Sequence, residues 1–243
     1  MPGFGLAAVL TAALALGAGG PARADQSDSA TFGLSLLGLS AGTLQIEGRI
    51  EGGAYAVSGR LQSGGLVAMI RKISYDAQAQ GRVRDGRFTP QRYAESADTG
   101  RRKTRAVMDY AAGVPQVKEY DPPRRAKDPK VDPAGQGGTV DPLTAAYAVL
   151  RDVAPEGACD LSLDLFDGER RTAVRLSNPR PHRGGGLSCD GEYRRVAGFD
   201  ADDMAEASRF PFTLVYVPLS DGRLRVSEVS MDTIYGKGRL TRR

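Results

Sequence analysis

The sequence predicts an all-β protein with one packed helix, its antiparallel sheet strongly curved into an open, barrel-like form. Three observations predict this. Apolar and polar residues alternate with period two through most of the chain beyond residue 40, the pattern of strands with one buried and one wet face. Glycine is abundant, at 31 residues, and is scattered through the alternating segments, which suggests many turns and strands rather than helices. One stretch alone combines helical spacing with a helix start signal.

The elements follow in order. Residues 4–16 are a short run rich in Ala and Leu, closing on Pro21-Ala22-Arg23-Ala24. Ala22-x-Ala24 is the small-x-small pattern that precedes signal-peptide cleavage. The run is shorter than the roughly 20 apolar residues needed to span a bilayer. Residues 1–24 are therefore expected to be a secretory signal, cut between Ala24 and Asp25, with 25–243 as a single β domain in the periplasm. No cysteine follows the cut, so no lipid anchor is expected there, and no later segment is apolar enough to span.

In residues 43–51, Leu44, Ile46 and Ile50 face one way, and Gln45, Glu47, Arg49 and Glu51 the other. Gly52-Gly53 makes a hairpin turn into a return strand, 54–61. Further strands are expected at 68–80, 81–88, 101–110 and 114–120. Residues 121–140 break the pattern with Asp121-Pro122-Pro123, Asp128-Pro129 and Asp132-Pro133 among basic residues. Proline at that density forbids helix and central strand, so an exposed loop without fixed structure is expected. Asp141 is placed to cap a helix and Pro142 to occupy its first position, while Leu143, Tyr147 and Leu150 recur at helical spacing. A helix over 142–153 should lay its apolar stripe on the sheet. Strands resume at 159–165, turn at Asp167-Gly168, and return at 171–176. A loop at 178–186 precedes strands at 187–199, 210–219 and 223–231.

Two cysteines, Cys159 and Cys189, are present. In an oxidising compartment an even count reads as a disulfide. A loop of about 30 residues would gain roughly 3–4 kcal/mol from that link. Two cysteines and the single His182 are too few ligands for structural zinc, and no metal or cofactor is expected. The formal charge of +4 is mild and mixed, which argues against nucleic acid as a partner.

Candidate chemistry is sparse. Gly38-Leu39-Ser40-Ala41-Gly42 matches a nucleophile elbow, but that motif needs a strand before and a helix after, and here an alternating strand follows. It reads as a glycine-rich turn. Asp160 and Asp164 share a strand face, yet paired carboxylates there are ordinarily solvated. Asp200, Asp202 and Asp203 lack the glycine and terminal glutamate of a calcium loop. Basic groups at Arg101, Arg102 and Lys103, at Arg124, Arg125 and Lys127, and in the tail at Lys237, Arg239, Arg242 and Arg243 are candidate contacts for an anionic surface.

Four segments resemble an exported bacterial family, DUF3108. They are Gly86-Arg87-Phe88-Thr89-Pro90-Gln91-Arg92-Tyr93, Val140-Asp141-Pro142-Leu143-Thr144, the hairpin from Cys159 through Phe166-Asp167-Gly168-Glu169-Arg170-Arg171, and the Cys189 strand with Tyr193 and Gly198. The resemblance implies a periplasmic sheet curled partly around a helix and supplies no catalytic residues. The leading expectation is a non-enzymatic protein of envelope maintenance that binds a hydrophobic ligand, such as a lipid or lipoprotein, or an envelope partner. The alternative is a structural, closed-core adaptor that touches partners through basic loops. An envelope hydrolase using Ser40 or the Asp160/Asp164 pair is the third.

Overall fold

The alternating segments pair into one 13-stranded antiparallel sheet. The structure, a computed structural model, describes residues 25–70, 72–123, 131–234 and 236–243. The expected signal, including Ala24, and the basic residues Arg124, Arg125 and Lys127 lie outside them.

The first seven strands form a meander: β1 (Gln26–Leu36), β2 (Leu39–Glu51), β3 (Ala54–Ser63), β4 (Ser74–Arg84), β5 (Arg87–Asp98), β6 (Lys103–Ala111) and β7 (Val114–Asp121), with a short helix α1 (Gly65–Ile70) between β3 and β4. Helix α2 (Pro142–Leu150) follows. The second meander is β8 (Leu161–Phe166), β9 (Arg171–His182), β10 (Gly186–Ala197), β11 (Arg209–Pro218), β12 (Leu224–Thr233) and β13 (Gly236–Arg242), with α3 (Ala201–Glu206) between β10 and β11. The final strand stitches the halves together, because β13 pairs with both β12 and β1. The sheet order is thus β7-β6-β5-β4-β3-β2-β1-β13-β12-β11-β10-β9-β8.

The sheet is nearly closed into a barrel. Its two edges, β7 and β8, are bridged by residues 131–140. The Gly138 N–H donates to the Gly113 carbonyl at 3.0 Å, and Val140 pairs in parallel with Leu165. One cluster of buried residues runs through both halves, from Phe32, Tyr55 and Phe88 to Phe166, Leu214 and Val226. Outward positions on β2, β4 and β5 are polar or charged, including Glu47, Arg49, Gln78 and Arg92. That is the reverse of a membrane barrel, whose outer face is apolar. Among the described residues, no helix is long and apolar enough to cross a membrane.

Several expectations are corrected. Residues 68–80 and 81–88 are not two strands. Helix α1 takes the start, and β4 runs through Gly81 to a turn at Asp85-Gly86, both with positive φ. Gly81 marks a register shift inside the sheet, where a Cβ would lie 2.3 Å from the Thr89 carbonyl oxygen. Residues 39–42 belong to β2, and the turn is only Leu37-Gly38. The helix stops at Leu150, and Val153 pairs with Leu224. Cys159 precedes its strand, which starts at Leu161.

The expected loop 178–186 is largely strand. Pro179 and Pro181 are tolerated because β8 pairs with β9 only as far as Leu176, leaving the rest of β9 with one free edge. The expectation of a loose loop at 121–140 fails over 131–140. A 3₁₀ turn at Pro133–Gly135 is capped by Asp132, and Thr139 and Val140 are buried at the seam. The basic tail is β13.

Candidate functional site

Helix α2 occupies the concave side of the sheet and packs on β3, β4, β5 and β8. Its start is fixed locally. Asp141 Oδ1 accepts the Thr144 N–H at 2.8 Å and Oδ2 accepts the Thr144 hydroxyl at 2.6 Å. Pro142 fills the first turn, where no N–H is needed. Tyr55 on β3 reaches the Thr144 hydroxyl at 2.8 Å. The helix lies against strand backbone through two glycines. A Cβ on Gly48 would stand 2.3 Å from the Tyr147 ring, and one on Gly59 would stand 2.6 Å from Leu143 Cδ1. Glycine inside a strand marks such a close approach. Phe88 packs edge-on to both Tyr55 and Tyr147, with centroids 5.0 and 5.9 Å apart.

The far end of α2 is tied down by a polar cluster. The Tyr147 hydroxyl donates to Asp28 Oδ2 at 2.7 Å, and the Asp152 N–H donates to Asp28 Oδ1 at 3.1 Å. Gln26 donates to both Asp28 oxygens at 2.9 Å and to the Asp152 carbonyl at 2.8 Å. Arg225 on β12 holds the buried Asp152 carboxylate with contacts of 3.0 and 2.6 Å. The Asp152 pair also holds the Arg225 guanidinium pKa above its usual value. One cluster thereby joins β1, the end of α2, and β12.

Three interior carboxyls are pushed up by burial. Asp141 rises from 3.8 to about 6, because desolvation outweighs its hydrogen bonds from Thr144. Glu95 rises for the same reason, despite a 2.5 Å hydrogen bond from the Tyr93 hydroxyl. Asp167 rises too, against the pull of the Arg170 and Glu169 N–H groups. The Tyr110 hydroxyl is buried with no hydrogen-bond partner. Among the described residues no cluster of His, Cys, Asp and Glu could hold a metal.

The residues singled out in the sequence mostly serve the fold. Cys159 and Cys189 form a disulfide with Cα atoms 5.3 Å apart. Ser40 is an exposed residue within β2, with no helix following. Burial raises the Asp164 pKa, but Arg175 and Arg171, each at 2.7 Å, bring it below the usual carboxylate value. Asp160 lies outside β8, so the two acids do not share a strand. His182 ends β9 on the surface. Asp200 caps α3 by accepting the Asp203 N–H at 2.9 Å. Arg102 donates to the Pro122 carbonyl at 3.2 Å, Lys103 lies 3.7 Å from Asp98, and Arg101 is exposed. In the tail, Arg242 stacks on the Phe32 ring at 5.5 Å and donates to the Ser29 carbonyl.

Outside the barrel, an open groove of about 600 Å³ crosses β1 to β5, floored by Ser29, Glu47, Ser58, Gln78 and Ala94. Sequence reasoning missed Asp28, because a charged residue on the inward face hides the alternation of β1. It also passed over Gly48 and Gly59, whose position inside strands was the available signal.

A family model described as "Protein of unknown function (DUF3108)" matches residues 29–179. A search of curated proteins finds no match. Among solved structures, a crystal structure of a β-barrel-like protein of domain of unknown function DUF1849 from Brucella abortus is similar. The TM-score is 0.54 at 14% identity, covering 89% of this chain and 95% of that one. At that identity the likeness shows a shared fold.

Proposed function

The chain belongs to the DUF3108 family, and from that premise we propose that it is an exported, non-catalytic protein of the cell envelope whose filled barrel acts through its outer surface. The leading expectation from the sequence is an apolar ligand or envelope partner, with the sheet interior as the natural place for a ligand; the alternative is a closed-core protein that meets its partners from outside. The seat of α2 supports the second. Tyr147 and Leu143 occupy the space that open side chains at Gly48 and Gly59 would need. Where α2 meets these two strands the interior is taken up by protein, which supports the closed-core reading over an open ligand cavity. The engagement of Asp164 by two arginines and the placement of Ser40 inside a strand weigh in the same direction, against the hydrolase alternative.

Fractionation of producing cells with N-terminal sequencing tests the address. The expected product is a chain starting at Asp25 outside the cytosol; a chain starting at Met1 in the cytosol would overturn it. Organic extraction of the same purified protein tests the filled interior. No stoichiometric lipid is expected, and one acyl-chain ligand per molecule would restore the ligand reading.

A further inference from the structure

The large hydrophobic side chains that stand exposed among the described residues are Leu37, Leu39, Met69, Val196, Met204 and Ile234. All of them lie at one end of the barrel. Neighbouring strands are antiparallel throughout, so successive connections alternate between the two ends. The β1–β2 turn, the α1 connection, the β5–β6 turn, the β10–β11 connection with α3 and the β12–β13 turn share an end. The opposite end carries the Gly52-Gly53, Asp85-Gly86 and Ala112-Gly113 turns, and no exposed large hydrophobic among the described residues.

Four of these side chains form one stretch of rim. The β1–β2 and β12–β13 turns touch, with the Leu37 N–H donating to the Lys237 carbonyl at 2.9 Å. The α1 connection meets β2 through Gly64 N–H to the Ala41 carbonyl, also at 2.9 Å. Met69 is 82% exposed, Leu37 67%, Leu39 55% and Ile234 43%. Leu37 also holds φ at 51°, a conformation that Gly or Asn adopts with less strain. Folding alone favours neither the residue nor its exposure there.

Basic residues flank this stretch. Lys72 follows α1, Lys237 follows Ile234, and Arg101, Arg102 and Lys103 stand at the β5–β6 turn. Acids lie among them: Asp98 and Asp232 form ion pairs with Lys103 and Lys237, at 3.7 and 3.9 Å, and Glu169 and Asp167 share the surroundings of Tyr120 with Arg102. Val196 and Met204 lie further round the barrel beside the acidic α3, outside the patch.

We propose that this rim docks on an anionic phospholipid surface. Leu37, Leu39, Met69 and Ile234 enter the headgroup region, and the flanking lysines and arginines meet the phosphates. Single apolar residues on separate turn tips suit a deformable lipid surface better than a shaped protein groove. Each basic residue near such a surface adds electrostatic attraction, and the apolar tips add burial on top. The physiological meaning rests on the envelope location proposed above, but the physical test does not.

The test is co-sedimentation of purified 25–243 with phosphatidylglycerol-containing vesicles and with neutral phosphatidylcholine vesicles. The expected result is binding to the anionic vesicles that falls with salt. Met69→Glu combined with Leu39→Glu, and separately Ile234→Glu, should each lower the bound fraction by roughly tenfold or more while circular dichroism and melting stay as in the parent. Lys72→Glu with Lys237→Glu should lower it similarly. Absent binding, or binding unchanged in both apolar variants, overturns the proposal. A dimer in sedimentation velocity that the Met69→Glu variant abolishes, without vesicle binding, overturns it in favour of a second copy of the chain. A failure of fractionation would leave the vesicle result standing, so the two readings fail separately.

Discussion

At the residue scale the decisive positions are the glycines under α2 and the acid at its start. Gly48→Val forces a side chain into the Tyr147 ring, against strand backbone that cannot retreat. It should destabilise by roughly 3 kcal/mol or abolish folding, read from the denaturant midpoint. Tyr147→Phe deletes the hydrogen bond to Asp28 while keeping the ring, and should cost about 1–2 kcal/mol. Asp141 makes the fold pH-dependent in a definite direction. Its native pKa, about 6, lies above the ordinary value of 3.8, so the native state binds this proton more tightly than the unfolded chain does. Its contribution is fully present below 3.8 and is lost as pH rises through about 6. Burial shifts Glu95 and Asp167 the same way. Asp164, whose pKa is lowered, acts in the opposite sense, with its stabilisation lost only below the usual carboxylate range. The melting temperature should therefore be higher near pH 5 than near pH 7.5, and Asp141→Asn, which can keep the cap, should flatten that difference.

At the element scale the closing strand and the disulfide do different work. Deleting 236–243 removes β13 and leaves β1 and β12 with unpaired edges in the middle of the sheet. The truncated chain should aggregate or fail to fold, which size-exclusion chromatography reads directly. The Cys159–Cys189 link ties the segment ahead of β8 to β10. Replacing both cysteines with alanine should cost roughly 3 kcal/mol and leave the barrel assembled. Legibility in the sequence follows the same division. The strand alternation, the α2 start at Asp141-Pro142 and the cysteine pair could be read directly, because each is a local signal. The strands β1 and β13 could not. Asp28 interrupts the inward face of β1, and the lysines and arginines of β13 look like a solvated tail. Their pairing is decided by closure of the sheet, a property of residues more than 200 positions apart, such as Phe32 and Arg242. The turn at Asp85-Gly86 was legible but was masked by Gly81, which looks like a turn and is a register shift.

At the scale of the whole molecule the fold is a sheet wrapped around one helix, with its polar face outward and, among the described residues, its exposed large hydrophobic side chains at one end. The shared fold with the Brucella barrel-like protein extends to the architecture, while the site residues are argued from this chain alone. Of the candidate site legible in the sequence, the disulfide, the β5–β6 basic turn and Lys237 remain. What the sequence could not place was the rim, because Leu39, Met69 and Ile234 are brought to one end only by the antiparallel order of strands. The central claim is that α2 is a core element filling the barrel rather than a lid over a binding cavity. Native-state hydrogen exchange on α2 tests it most directly. The amides of 145–150 should exchange as slowly as those of β2 and β3, opening only with global unfolding, and lipid micelles should leave them unchanged. Exchange of α2 by a separate, easier opening while β2 and β3 remain protected would contradict the account and make the helix a lid.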